Sequence, residues 1–534
     1  MTGRPEGRER LMNKTTALLL VLAFASGGCA TDSGPMSSDR LAFVRDGPWI
    51  EVTSPRFQIL STMSEEETKG LARDLERFDA LIRLITRADQ TGAPVPTRIF
   101  AFKRKSEYRR FGGAQTAGFF VPGTRANLIV LSDHSGLLGA SEIILHEYVH
   151  FVVRNGSVVN YPIWYDEGFA EFLSTARVFE EQMAVGALPA ARILALRFGN
   201  WVSMDRIIAG RTYADFPGPA RGMFYAEAWA LVHYLTLERG SGTSMSRDLA
   251  QYLSLVEMGI SAEAAFERAF GESPEEVGKK IRRRRRGEQW RVIGIPLEAL
   301  DDDRTEPVVR VPSDAEIAIH LGQLSLAVSD GAAAEGSFRA ALESDPSHAR
   351  AEAGLGNALK SRGQWEDAEP HFRRAVELGP DDPFNHLDLA KYLHDLALEP
   401  DRARQRRALL IEARRAYERS RELDPSIPET WAWLGKTFLA PGEDPSKSLE
   451  PILHAVRKLP SSPAIVSLLV EAYVATGETG QARRVLGKSA AVQTKGPLHE
   501  NLDEAIQEIL DRRAAAEEAH RKAMASDGSP AKAD

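Results

Sequence analysis

The chain of 534 residues has an ordinary globular composition, with 43% hydrophobic and 27% charged residues. That length suffices for roughly three or four domains, and the composition excludes a membrane bundle or a chain that is disordered throughout. The net charge of −8 argues against a general nucleic-acid binder, although the run from Lys279 to Arg286 is locally basic. No aromatic residues interleave with these arginines, so we interpret the run as a solvated helix end or linker.

Residues 1–29 carry the pattern of an export signal. A short cationic segment ends at Lys14, a hydrophobic core of about ten residues follows, and small residues precede Cys29, the only cysteine. The core is too short to span a bilayer as a stable helix. The segment resembles a bacterial lipoprotein signal, which implies that Cys29 is lipid-modified and anchors the mature protein to a membrane of the cell envelope, facing the periplasm or the cell surface. An ordinary cleaved signal peptide or a buried thiol is the alternative, and Met12 is an alternative start.

Beyond a tether at residues 30–40, hydrophobic patterning predicts a mixed α/β domain over residues 41–290. The predicted elements, in chain order, are two strands in Trp49–Met63, a helix over Glu65–Ile85, a strand at Arg98–Phe102, a short helix in "SEYRRF", a turn-rich loop in "GGAQTAGFFVPGTR", a strand in "ANLIVL" and a helix from near Ala140 or Ser141. The last of these helices carries the residues that indicate chemistry.

That helix contains the sequence His146-Glu147-Tyr148-Val149-His150. Positions i and i+4 share one face of a helix, so His146 and His150 can hold one metal ion between their imidazoles. Glu147 is turned by roughly 100° from His146, close enough to touch a metal-bound water without displacing it. Catalytic zinc takes three protein ligands and leaves a position for water, so the two histidines are one ligand short.

The next predicted helix, "IWYDEGFAEFLSTARV", offers Asp166, Glu167 and Glu171 as the third ligand. Glu167 and Glu171 share a helix face, and their spacing does not choose between them. "HEYVH" and "WYDEG" together resemble the gluzincin metallopeptidases, in which HExxH is followed about twenty residues later by a glutamate ligand, often within W-x-x-E-G. The resemblance implies one Zn²⁺ per chain with Glu167 as the third ligand. It also implies that Glu171 orients a histidine, with Asp166 as a flanking residue of similar role.

The segment "FYAEAWALVHYL" resembles the gluzincin segment Y-E-K-G-x-x-L-x-x-L, whose tyrosine donates a hydrogen bond to the developing oxyanion. The resemblance assigns that role to Tyr225, although Ala226 and Ala228 replace the family's glutamate and glycine. The alternative is that Tyr225 only caps a core helix. The resemblance as a whole implies an α+β, thermolysin-like catalytic domain, closest to the bacterial peptidase-MA-like group.

A repeat of 34 residues indicates a different architecture after a linker at 291–312. Aligning Pro346 with Pro380 superposes Leu321-Gly322 on Leu355-Gly356 and also superposes two alanines and a phenylalanine, all at tetratricopeptide positions. We expect about five helical hairpins, an all-α tetratricopeptide solenoid, over residues 313–493, the third hairpin being stretched by an insertion near "LEPDRARQRRA". A capping helix over 494–525 and a disordered tail over 526–534 complete the predicted organisation.

These features predict a membrane-anchored zinc metallopeptidase in which Glu147 is the general base and the metal activates the attacking water. The exopeptidase relatives that bind free amino termini carry a glutamate before the zinc helix. No glutamate lies between Arg110 and Glu142, so an endopeptidase is favoured. The repeats would dock a protein or peptide substrate, or a protein partner, and no nucleic acid. The alternative is a non-catalytic envelope scaffold that acts through its repeats.

Overall fold

The structure is a computed structural model of the chain. It describes residues 47–86, 95–111, 118–132, 142–156, 161–189, 192–239, 245–284, 290–301, 306–490 and 502–525. The predicted export signal with Cys29, the tether and the predicted tail lie outside the described residues. Among the described residues, none of the helices has the length and apolar character needed to cross a membrane.

A mixed sheet of six strands forms the centre of the amino-terminal half. Its strands are β1 (Ile50–Thr53), β2 (Phe57–Ser61), β3 (Thr97–Phe102), β4 (Gly118–Val121), β5 (Asn127–Ser132) and β9 (Val308–Arg310), in the spatial order β4-β5-β3-β2-β1-β9. The central strands β2, β3 and β5 are parallel, whereas β4, β1 and β9 pair antiparallel with their neighbours. A smaller antiparallel sheet contains β6 (Arg177–Phe179), β7 (Gln182–Val185) and β8 (Ile293–Pro296).

Two segments differ from the sequence-based expectation. The "GFFV" part of the predicted turn-rich loop is the edge strand β4, because its backbone pairs with β5 at Phe119↔Val130 and Phe120↔Ile129. The segment 291–312, predicted to be a linker, contains β8 and β9. Here β9 extends the main sheet by pairing Val309 with Val52. Short runs of aromatic or β-branched residues such as these are stabilised by pairing with a strand edge elsewhere in the fold, which local patterning does not reveal.

Ten helices are described in the amino-terminal half. They are α1 (Glu65–Thr86), α2 (Lys105–Tyr108), α3 (Glu142–Gly156), α4 (Ile163–Ser174), α5 (Ile193–Phe198), α6 (Met204–Ala209), α7 (Pro219–His233), α8 (Met245–Glu257), α9 (Ala262–Phe270) and α10 (Pro274–Arg284). A π-helical turn, Tyr234–Glu238, continues α7. Helix α4 ends earlier than its pattern predicts, because Arg177–Phe179 pairs with β7 instead.

The carboxy-terminal half is helical, as the repeat predicts. Five hairpins are described: α11 (Asp314–Ala327) with α12 (Gly331–Ser344), α13 (Ala349–Ser361) with α14 (Trp365–Leu378), α15 (Pro383–Leu398) with α16 (Arg406–Leu423), α17 (Pro428–Lys436) with α18 (Leu449–Lys458), and α19 (Pro463–Ala475) with α20 (Thr479–Ala490). The predicted insertion lies between α15 and α16 and contains a short 3₁₀ turn. The predicted capping helix is described as α21 (Leu502–Ala525).

The two halves share a core through the main sheet. Along β3, Ile99 and Ala101 face the α1–α3 side, whereas the alternate residues Phe100 and Phe102 face the first repeat. There they join a buried cluster with the following residues of α11 and α12: Ile317, Leu321, Leu324 and Ala333. The repeat array is therefore packed on the sheet and is not a separate module on a tether.

Candidate metal centre

Helices α3 and α4 bring the two histidines and Glu167 together. His146 and His150 lie one turn apart on α3, and their Nε2 atoms are 3.1 Å from each other. Glu167 comes from α4, whose residues are all buried. A Cβ at Gly168 would collide with the carbonyl oxygen of Ala228, so a glycine is needed where α4 crosses α7. This close crossing brings the residues of α7 next to the metal-ligand candidates.

The three side chains lie close enough to share a zinc ion, and each histidine is near a different oxygen of Glu167. Ligands at about 2.0–2.1 Å from a tetrahedral zinc lie roughly 3.3 Å from one another. His146 Nε2 is 3.1 Å from Glu167 Oε2, and His150 Nε2 is 3.4 Å from Glu167 Oε1. Among the described residues, this is the group of histidine, cysteine and carboxylate side chains that could hold a metal ion. Two imidazoles and one carboxylate are also the ligand types that suit a catalytic zinc.

Asp166 orients the ring of His150 through the nitrogen that faces away from the other candidate ligands. Its Oδ1 lies 3.2 Å from His150 Nδ1, which leaves Nε2 directed toward the other donor atoms. Arg154 bonds the same carboxylate, donating from Nε over 3.2 Å. Burial by itself would raise the pKa of Asp166, but Arg154 and His150 lower it to about 2. Asp166 is therefore an anionic acceptor. Burial and Arg154 lower the pKa of His150, while Asp166 and Glu167 raise it to about 9.

Glu171 lies beside the other histidine. Its Oε1 is 3.8 Å from His146 Nδ1, and Arg192 Nε donates to its Oε2 over 3.1 Å. The Arg192 guanidinium also lies over the ring of Tyr225, at 4.9 Å from the ring centre. Arg192 thus holds the Glu171 carboxylate next to His146, as Arg154 holds the Asp166 carboxylate next to His150. Glu167 lies within 3.4 Å of Nε2 of both histidines, whereas Glu171 lies 3.8 Å from Nδ1 of His146.

Two tyrosines lie near the Glu167 carboxylate. Tyr213, in a 3₁₀ turn, donates a hydrogen bond from its hydroxyl to Glu167 Oε1. Its ring stacks on Tyr225 of α7, with ring centres 5.9 Å apart. Burial and the nearby Glu167 raise the pKa of Tyr225, so its hydroxyl stays protonated and can donate a hydrogen bond. Glu147 is half-buried on α3, and its charge acts on Tyr225 and on Arg154.

A second network fixes α3 from the core side. The Tyr148 hydroxyl donates to Asp79 Oδ1 over 2.8 Å, across 69 positions of sequence. Asp79 is fully buried, and its Oδ2 lies 2.8 Å from Arg56 Nε and 2.6 Å from Arg83 Nε. A buried carboxylate that is paired with two cations has a fixed position. Tyr148 thereby anchors the turn of α3 that lies between the two histidines.

Sequence patterning missed three residues of this centre. Arg154 lies four positions after His150, so the shared helix face was a signal that it could reach the same partner. Tyr213 and Arg192 belong to no motif, and each reaches its glutamate from an irregular or short segment. Only the tertiary structure reveals their contacts.

The comparisons with known proteins concern the repeats. No curated protein matches the chain. A thermophilic tetratricopeptide protein of Thermus thermophilus is 20% identical, with a TM-score of 0.31, over 38% of this chain and 98% of that one. PilF of Pseudomonas aeruginosa is 19% identical, with a TM-score of 0.31, over 40% of this chain and 93% of that one. A family profile described as tetratricopeptide repeat matches residues 319–383. The chain therefore contains tetratricopeptide repeats, a fold that serves protein–protein interaction.

Proposed function

We propose that the protein is a zinc-dependent metallopeptidase of the gluzincin type, tethered by a lipid on Cys29 to the bacterial envelope. The observation that supports this most strongly is the proximity of His146, His150 and Glu167, whose candidate ligand atoms lie within 4.8 Å of one another and are of the types that zinc binds. The neighbouring Glu147 adds the base that such a centre requires. A centre that only stabilised the fold would need a fourth protein ligand.

The residues around the candidate metal site have distinct proposed roles in peptide-bond hydrolysis. Zn²⁺, when bound, supplies Lewis acidity that polarises a scissile carbonyl and brings the pKa of a water close to neutrality. Glu147 accepts the proton of the attacking water and passes it to the leaving amine. Tyr225 donates a hydrogen bond to the oxyanion that develops on the carbonyl oxygen. Asp166 orients the ring of His150, and Glu171 places a carboxylate 3.8 Å from His146 Nδ1; each acid is held by an arginine.

The proposed substrate class rests on the segment that precedes the histidine helix α3. The stretch from Phe111 to Ser141 contains no glutamate that could bind a terminal ammonium, so we propose cleavage within protein or peptide chains. The competing function is an envelope scaffold whose repeats act and whose metal centre is idle. The five helical hairpins favour an interaction role, and such a role is compatible with either function.

The variant Glu147→Gln tests the proposal. It removes the base and keeps the size of the side chain, so we expect about one zinc per chain and a fall in hydrolysis of a quenched fluorescent protein by a factor of about 100 or more. Glu298→Gln, in an exposed 3₁₀ turn, is the matched control and should retain full activity. A wild-type protein that cannot be loaded with zinc would overturn the enzyme proposal in favour of the scaffold.

A further inference from the structure

The hairpin of β4 and β5 extends into the repeat array at its tip. Arg125, two residues before β5, forms a two-point ion pair with Asp388 of α15, with Nη2–Oδ1 and Nη1–Oδ2 distances of 2.6 and 3.1 Å. Its Nε donates over 2.6 Å to Glu429 of α17. One side chain from the turn of the β4–β5 hairpin therefore joins the first helices of two consecutive repeats. We call Arg125, Asp388 and Glu429 the arginine clamp.

The array supplies a site built for a guanidinium. The side chains of Asp388 and Glu429 are only 8% and 3% exposed, and the ring of Phe384 lies 5.4 Å from the Arg125 guanidinium carbon. Lys391 pairs with the second oxygen of Glu429. Two carboxylates thus face two cations, and removal of Arg125 leaves a buried negative charge without compensation. Burial raises the pKa of Glu429, but Arg125 and Lys391 lower it to about 2.

The same hairpin packs against the helix that carries the histidines. A Cβ at Gly118 of β4 would collide with Ile144 of α3, so strand and helix are in close contact. Phe120 lies against Phe151, with ring centres 6.3 Å apart. The array also reaches α3 directly, because the Ser461 amide donates over 3.3 Å to the side chain of Asn155. The repeats thus hold both the hairpin and the carboxy-terminal end of α3.

We infer that the repeat array positions the metal-ligand helix α3, and that Arg125 is the positioning residue that fixes the β4–β5 hairpin against it. The acidic site formed by the first helices of repeats 3 and 4, α15 and α17, is then filled by the chain's own Arg125. A peptide partner that used these helices would have to displace Arg125. The inference extends the proposed function to the role of the repeats, but its structural part does not depend on zinc or on hydrolysis.

Hydrogen exchange of the full chain, followed by mass spectrometry, tests the inference. In Arg125→Ala, amide exchange should accelerate at least about tenfold in peptides covering 118–132 and 142–156, because the hairpin and α3 lose their anchor. Arg374→Ala is the matched control, since it removes an arginine from an exposed pair with Glu377 and should change neither peptide. Unchanged exchange in either peptide of Arg125→Ala would overturn the inference.

Two milder variants keep the test valid if Arg125→Ala does not fold. Asp388→Asn removes one charge of the clamp and Arg125→Lys removes its two-point geometry, so each should accelerate exchange in the same two peptides by a smaller factor. Exchange equal to that of the wild type in both variants would contradict the clamp. Absence of zinc binding in the wild type would overturn the proposed function and leave these exchange results unaffected.

Discussion

Replacement of Tyr148 by phenylalanine removes one hydroxyl from the core and tests whether Asp79 anchors α3. The hydroxyl donates over 2.8 Å to a carboxylate that is fully buried, and a hydrogen bond to a charged partner contributes about 1.5–3 kcal/mol. Arg56 and Arg83 continue to pair with Asp79 in the variant, so the carboxylate is not left alone. We therefore expect a loss near the lower limit, about 1.5 kcal/mol of the free energy of unfolding.

Tyr417→Phe is the matched control. Tyr417 is also fully buried, but its hydroxyl has no hydrogen-bond partner among the described residues, so its removal should leave stability unchanged or raise it slightly. Urea unfolding at pH 7 compares the two variants, with the slope of the transition checked for constancy. A loss of about 1.5 kcal/mol corresponds to a shift of roughly tenfold in the unfolding equilibrium. Equal effects of the two substitutions would refute the anchoring role of Asp79.

Three further predictions concern the metal, the pH dependence and the anchor. Glu167→Gln should abolish tight zinc binding, whereas Glu171→Gln should weaken it by about 10- to 100-fold, as isothermal titration can measure; equal losses would argue against Glu167 as the ligand. Burial raises the pKa of Glu227 from 4.5 to about 8, so this carboxyl stabilises the fold below pH 4.5 and that contribution is lost as pH rises toward 8. Glu227→Gln should reduce that loss in urea titrations, and an unchanged pH profile would contradict the assignment. Mass spectrometry of the mature protein should find a lipid on an amino-terminal Cys29; an unmodified start elsewhere would argue against the anchor.

Local periodicity identified most elements of the fold. The alternation in Trp49–Met63 and the helical pattern of Glu65–Ile85 correspond to β1, β2 and α1. The 34-residue repeat located the helical hairpins, because each hairpin buries small and aromatic residues at fixed positions, such as Ala334 and Phe338. Strands β4 and β9 were not predicted. Each is too short to show a period of its own and is stabilised by pairing with a distant strand.

Local spacing in the sequence also predicted part of the candidate metal site. His146 and His150 are four positions apart, so one helix brings them together whatever surrounds it. Helix spacing does not choose between Glu167 and Glu171, since both share a face of α4, and only the family resemblance assigns the ligand role to Glu167. Tyr213 reaches Glu167 across 46 positions, and no local pattern marks such a contact.

Sequence by itself determined what a few consecutive residues encode: the histidine pair with its glutamate, the period of the repeats and the alternation of the strands. Tertiary structure decided which distant groups meet. It joined Tyr148 to Asp79, and it joined Arg125 to Asp388 across 263 positions. It also packed the first repeat on the sheet, a contact that the sequence patterns of the two halves do not predict. The physical reason is that periodicity arises from the geometry of one helix or strand, whereas ion pairs and shared cores depend on how complete elements pack.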